Sequence, residues 1–211
     1  MPSLLEHSWS SIDKSVAKDY LKGFGQGSEG SKLVLFEVLK KLHKCKPSIV
    51  ELGCGNAQLY EYLREKGLDC RYTGVDFSDS LLDAARSSCL DFPDTEFIKD
   101  DVEKLILITS RYDVAVYSHV IEMLASPEES LNRARNIADK IIIRFFEPPN
   151  FDHDAVELRN MPVGLGKEVP YLRRKMSRDY YRLILTKIGC TKVEVFDDLS
   201  AKDEVHLLHF D

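Results

Sequence analysis

The 211 residues, 44% hydrophobic and 30% charged, suffice for one α/β domain with a modest elaboration and are too few for two full domains. A net charge of −6 disfavours a surface that tracks a nucleic-acid backbone throughout. Five cysteines (Cys45, Cys54, Cys70, Cys89 and Cys190) form no C-x-x-C pair, so reduced thiols in a cytoplasmic protein fit better than a disulfide framework or a zinc site. Met1 to Ile12 shows no signal pattern, and no apolar run approaches the ~20 residues that span a bilayer, so no membrane partner is expected.

In chain order, residues 12–24 predict a helix with Val16, Tyr20, Leu21 and Phe24 along one side. A glycine-rich loop over 25–30 leads to a second helix, Ser31 to His43. Strands and helices then alternate. Ser48 to Leu52 is a short apolar run ending in glycines, hence a buried strand. Ala57 to Lys66 is helical and stops at Gly67; Tyr72 to Asp76 is a second strand. Ser78 is placed to cap a helix running through Arg86. Thr95 to Ile98 and Tyr112 to Tyr117 are the third and fourth strands. Ser126, Pro127, Glu128 and Glu129 open a helix, with proline and acids suited to its positive end. Lys140 to Phe145 is the fifth strand.

This alternation predicts a mostly parallel sheet covered by helices on both faces. Glu147 to Lys175 breaks the rhythm. Its prolines and glycines, Pro148, Pro149, Pro162, Gly164, Gly166 and Pro170, predict an inserted, mostly irregular segment. A helix from Ser177 to Ile188 ends at Gly189. Thr191 to Phe196 and Val205 to Phe210, joined by a short link, predict a C-terminal antiparallel hairpin. His206 and His209 in its last strand read as structural.

Two glycine motifs compete. Gly25-Gln26-Gly27-Ser28-Glu29-Gly30 matches G-x-G-x-x-G by letters, but a helix precedes it where a strand is needed. Gly30-Ser31-Lys32 also reverses the order a P-loop requires. That stretch reads as a connector between helices. Ile49-Val50-Glu51-Leu52-Gly53-Cys54-Gly55-Asn56-Ala57-Gln58 has the right context: a strand before it and a helix after it. Its glycines let the backbone turn sharply and approach a ligand, and the next helix offers unpaired N–H groups. Asp76 ends the following strand, where an acid can accept both hydroxyls of a ribose.

The second stretch resembles motif I of the class I, Rossmann-like S-adenosylmethionine-dependent methyltransferases: an acid, any residue, then Gly-x-Gly, here Glu51, Gly53 and Gly55. Nicotinamide-binding sites lack that acid and favour a third glycine, where this chain has Ala57 and Gln58. The resemblance continues through Gly74-Val75-Asp76-Phe77-Ser78 and through Phe97-Ile98-Lys99-Asp100-Asp101-Val102-Glu103. It ends with Tyr112 to Glu122, and covers residues 48 to about 146 in the family's order. It implies S-adenosyl-L-methionine as cofactor. Gly53, Cys54 and Gly55 would pack on the methionine part and Glu51 reach its amino group. Asp76 and Phe77 would lie at the ribose, Asp101 and Val102 at the adenine, and Tyr117 and Ser118 beside the methyl group. Both the ammonium and the sulfonium of that cofactor are cationic, which suits an acid in the turn. Asn56 departs from the small residue or threonine often found there, and the loop Glu103 to Thr109 lacks the usual proline.

The resemblance further implies a helical lid over residues 1–45, with Tyr20 and Phe24 facing the cofactor. The methyltransferase domain would occupy 46–211, with 147–176 inserted on the substrate side. His119 and Glu122, just past the fourth strand, are the candidate catalytic residues, His119 because its ordinary pKa is near neutrality. Positioning alone can carry much of an in-line displacement. His119-Val120-Ile121-Glu122-Met123 keeps one acid of the Glu-x-x-Glu-His metal motif of small-RNA ribose methyltransferases, so no metal is expected. Basic residues crowd 159–187, and Tyr171, Arg173 and Arg174 are the candidate contacts to an anionic substrate. The expected function is methyl transfer to a small molecule rather than RNA or protein. The rival outside enzymology is a S-adenosylmethionine-binding regulatory or partner subunit without its own catalysis.

Overall fold

The computed structural model describes residues 8–20, 30–42, 45–197 and 203–210. Helices α1 (Lys14–Tyr20) and α2 (Gly30–Leu42) precede the sheet. Residues 25–29 of the first glycine motif, Leu21 and Phe24 lie outside the described residues, as does the side chain of Tyr20.

Strands β1 (Ser48–Leu52), β2 (Arg71–Asp76), β3 (Thr95–Lys99), β4 (Tyr112–Ser118) and β5 (Ala138–Phe145) alternate with helices α3 (Gln58–Glu65), α4 (Asp79–Ser88) and α5 (Pro127–Ile137). The inserted strands β6 (Ala155–Gly164) and β7 (Lys167–Lys175) follow, then α6 (Arg178–Lys187), β8 (Lys192–Asp197) and β9 (Glu204–His209). The main sheet has seven strands in the order β3-β2-β1-β4-β5-β9-β8. Its first five are parallel, while β9 runs antiparallel to both β5 and β8, so the expected C-terminal hairpin closes one edge. Central strands carry apolar side chains on both faces because both faces are covered. Ile49, Val50 and Leu52 of β1 and Val114, Ala115 and Val116 of β4 are fully buried, divided between two cores on opposite sides of the sheet. Ser48 and Asp113 pin the starts of β1 and β4 together, the Ser48 N–H and hydroxyl donating to one carboxylate oxygen at 2.6 and 2.7 Å.

Ser78 occupies the N-cap position of α4, but its hydroxyl makes no capping bond. It lies 3.1 Å from the Ser80 hydroxyl instead, and the Ser78 N–H donates to the Asp76 carboxylate at 2.9 Å.

The insertion is more regular than its composition predicts. Residues 155–175 form an antiparallel two-stranded ribbon. Leu165 and Gly166 turn it with φ of 52° and 69°, as tight hairpin turns require. Prolines are tolerated because every strand of a two-stranded ribbon is an edge: Pro162 sits opposite Glu168, and Pro170 opposite Asn160. The reading of an irregular segment fails on that point. Alternate residues face inward: Met161, Val163 and Tyr171 are buried with Ile12, Ala17 and Leu81 in a third cluster. The Asp13 N–H donates to the Val163 carbonyl at 2.9 Å, and a Cβ at Gly164 would meet Val16 Cγ2 at 2.8 Å. The ribbon and the N-terminal segment are therefore packed together. No helix among the described residues is long and apolar enough to cross a membrane.

Candidate functional site

The site lies at the carboxyl ends of β1, β2 and β4, where parallel sheets place their ligands. After Leu52 the chain turns through Gly53 (φ 80°) and Gly55 (φ 54°) into Ala57 (φ 64°). The N–H groups of Gly53 and Cys54 both donate to the Val75 carbonyl, at 2.8 and 3.0 Å. A Cβ at Gly53 would stand 2.5 Å from Val120 Cγ2, so only glycine fits there. The Gly55 N–H donates to one oxygen of Asp76 and the Ser78 N–H to the other, each at 2.9 Å. Burial raises the Asp76 pKa, against the lowering by the N–H groups of Ser78, Gly55 and Phe77. A carboxylate has about four acceptor positions, so two N–H donors leave room for a diol.

Glu51 is buried beneath the turn and accepts the Tyr72 hydroxyl, whose ring stacks on Tyr60 at 4.4 Å. Burial pushes its carboxyl up to about 8, against the hydrogen bond from Tyr72 and the charges of Arg144 and Lys32. Lys32, from α2, lies in the same wall, its pKa lowered mainly by burial. Gln58 adds a buried Nε2 with no hydrogen-bond partner among the described residues.

These groups open into one cavity of about 480 Å³. Of the residues singled out from sequence, Glu51, Gly53, Cys54, Gly55, Asp76, Phe77, Val102, Ser118 and His119 line it, as do Tyr171 and Arg173. Four others with described side chains do not. The Asp101 carboxylate accepts the Glu103 N–H at 2.9 Å and the Lys104 ammonium at 2.6 Å. Tyr117 points into the core, its hydroxyl 2.8 Å from that of Ser130. Glu122 is buried, accepting the Phe146 N–H on Oε1 at 2.7 Å, and burial pushes its carboxyl up to about 7. Arg174 pairs with Asp154 at 3.0 Å and lies over the Tyr180 ring.

His119 is held in three ways. Its backbone has φ 59° and its N–H donates to the Arg144 carbonyl at 2.9 Å. Its ring stacks on Phe146, with centroids 3.4 Å apart and planes 19° apart. Its Nε2 lies 2.9 Å from Asp203 Oδ2. Burial lowers its pKa to about 4 although Asp203 pulls the other way, so the ring is neutral at physiological pH. Arg144 joins the group, donating to Ser118 Oγ at 3.0 Å and to Asp203 at 3.3 Å.

Sequence reasoning missed several cavity residues: Trp9, Lys32, Gln58, Arg144, Phe146, Arg159 and Asp203. Arg144 carried a signal, being a charge inside the apolar run of β5. Asp203 carried none, because it reaches the cavity from the far end of the chain.

A family model described as a methyltransferase domain matches residues 50–140. The malonyl-[acyl-carrier protein] O-methyltransferase of Halalkalibacterium halodurans is 26% identical over 129 residues, 57% of this chain and 48% of that protein. The chain thus matches about half the length of that curated relative. Among solved structures, the DhpI–SAH complex superposes with a TM-score of 0.74 at 15% identity, over 99% of this chain and 98% of that one. The CcbJ methyltransferase of Streptomyces caelestis gives 0.70 at 16% identity, over 97% and 98%. These last two likenesses are likenesses of fold. Over residues 50–140 the chain is thus similar to a methyltransferase domain, and it carries that domain's ordered motifs and glycine turn on a fold shared with S-adenosylmethionine-dependent methyltransferases.

Proposed function

We propose that the protein transfers a methyl group from S-adenosylmethionine to a small molecule of anionic character in the cytoplasm. One observation carries the reading: Gly55 and Asp76 join at the carboxyl ends of β1 and β2, on the wall of a cavity that holds the right complement of charges. The polar groups fit the cofactor. Glu51 suits its ammonium; Lys32 and the unpartnered Gln58 Nε2 suit its carboxylate; Asp76 suits the ribose hydroxyls. Phe77 and Val102 offer apolar wall for the adenine. When bound, the cofactor supplies a methyl group on a cationic sulfonium. The residues themselves hold, orient and exclude water, and the neutral His119 can accept a proton.

The acceptor's character rests on the other end of the cavity. Arg159 and Arg173 line it beside Trp9, Tyr171 and Phe146. A cofactor and an acceptor must share about 480 Å³, which favours a small acceptor. The relative from Halalkalibacterium halodurans is named for a malonyl acceptor, a precedent for acidic character. The five unpaired cysteines suit a reducing compartment. The test is calorimetric titration with S-adenosylmethionine, its demethylated product and NAD. Saturable binding of the first two and none of NAD is expected. Binding of NAD alone would overturn the reading.

A further inference from the structure

The acceptor side of the cavity contains a column of three residues that no motif announces. The Arg173 guanidinium carbon lies 4.9 Å from the centre of the Phe146 ring, and the His119 imidazole stacks on the same ring. Phe146 thereby has a guanidinium and an imidazole packed against the same ring. All three residues line the cavity.

The two ends differ in chemistry. The Arg173 guanidinium is ion-paired with Glu147 at 3.6 Å, too long for a hydrogen bond, and the Arg173 Nε is buried with no hydrogen-bond partner among the described residues, so its fork is not filled. A guanidinium so desolvated calls for a carboxylate or phosphate in its fork. Arg159, by contrast, is already engaged by Glu157 at 2.7 and 3.1 Å. His119 is a neutral ring facing the Asp203 carboxylate. It donates from Nε2 and leaves Nδ1 with the lone pair. Asp203 is itself tied to Arg144, so the ring cannot easily turn away. Nδ1 is thus an acceptor, suited to a hydroxyl or amine and unsuited to a carboxylate, whose oxygens repel its lone pair.

Resting on the function proposed above, we infer that the acceptor carries two separate groups: an anion bound by Arg173 and, a few bonds away, the hydroxyl or amine that is methylated beside His119. The anion is an anchor, not the nucleophile. For a hydroxyl acceptor, its oxygen forms the new bond to the methyl carbon and the pair from the broken carbon–sulfur bond stays on sulfur. The hydroxyl proton passes to Nδ1 of His119. A weakly basic imidazole suffices, because the oxygen becomes strongly acidic as its bond to carbon forms. The rings of Trp9 and Tyr171 in the cavity wall suit an aromatic or otherwise planar spacer between the two groups.

The test uses 3-hydroxybenzoate, its methyl ester and benzoate as probes. Calorimetry on the protein loaded with S-adenosylhomocysteine compares their affinities, and chromatography identifies the product formed with S-adenosylmethionine. The free acid should bind about tenfold or more tighter than the ester, as a charge-assisted fork predicts. Arg173→Gln should erase that difference. Benzoate should bind but yield no product, and the hydroxy acid should yield the methyl ether. Equal affinity for acid and ester, failure of all three probes to bind, or a methyl ester product would each overturn the inference. So would a difference that survives Arg173→Gln. Failure of S-adenosylhomocysteine itself to bind would strike the proposed function instead, so the two failures are distinguishable.

Discussion

The backbone N–H of Gly55 donates to the carboxylate of Asp76 across 2.9 Å, which locks the glycine turn after β1 to the end of β2. The two residues are 21 apart in sequence and meet because their strands are parallel neighbours. Asp76→Ala removes the acceptor for this N–H, for that of Ser78 and for a ribose. Affinity for S-adenosylhomocysteine should fall by about 1–3 kcal/mol, roughly 5- to 150-fold. Isothermal titration measures it, and an unchanged dissociation constant would remove Asp76 from the site.

Glu51 makes cofactor binding pH-dependent. Burial holds its carboxyl at about 8, so it is mostly protonated at pH 7. A cationic ligand favours the ionised form. Binding should therefore release a proton near neutrality, and affinity should rise as pH climbs toward 8. Titration in buffers of different ionisation enthalpy would reveal that proton. The same shift acts on stability with a definite sign. Because the folded value lies above the ordinary 4.5, the unliganded protein loses stability as pH rises between 4.5 and about 8. Glu51→Gln should flatten that part of the stability profile in urea titrations while weakening cofactor binding.

His119 should behave oppositely. Its folded value of about 4 lies below the ordinary 6.5, chiefly through burial. Stability from the neutral ring is complete above 6.5 and is lost as pH falls toward 4. The imidazole signals in a proton NMR titration should move near pH 4. A midpoint near 6.5 would contradict the buried placement. His119→Ala should lower turnover by about 10²–10⁴-fold if the ring takes the proton.

Asn56, the departure from the family pattern, ties the N-terminal segment to the turn. Its Nδ2 donates to the carbonyls of Ala17 and Lys18, at 3.1 and 2.8 Å. Asn56→Ala should loosen α1, with faster amide exchange over residues 14–20, and cost about 1–3 kcal/mol by removing the donor to the buried Ala17 carbonyl. Exchange unchanged from wild type would deny the link.

Arg173 and Arg174 were indistinguishable as letters and are separated by the ribbon. Arg173 lines the cavity, with Glu147 at 3.6 Å; Arg174 does not line it and pairs with Asp154 at 3.0 Å. Arg174→Ala should leave the affinity for 3-hydroxybenzoate within about twofold, since the lost pair is partly exposed and remote from the cavity. A loss as large as that of Arg173→Gln would place the anion at the wrong residue.

The sequence carried the sheet because each buried strand of a parallel sheet is a continuous apolar run, as Ile49 to Leu52 and Val114 to Tyr117 show. It carried the turn because Gly53 and Gly55 stand between such a strand and a helix. It misjudged the ribbon because prolines were counted without knowing that both strands are edges. It could not place Asp203 or Trp9, which reach the cavity by tertiary packing from opposite ends of the chain. Asp101 and Tyr117 matched family positions by letter, yet Asp101 serves its own loop and Tyr117 the core.

Whether this turn holds S-adenosylmethionine is answered by a crystal structure with S-adenosylhomocysteine. The ribose hydroxyls should lie within hydrogen-bond distance of Asp76, about 2.5–3.0 Å, and the amino-acid end between Glu51, Lys32 and Gln58. A nucleoside bound elsewhere, or Asp76 still joined only to Gly55 and Ser78 with the cavity empty at saturating ligand, would contradict it.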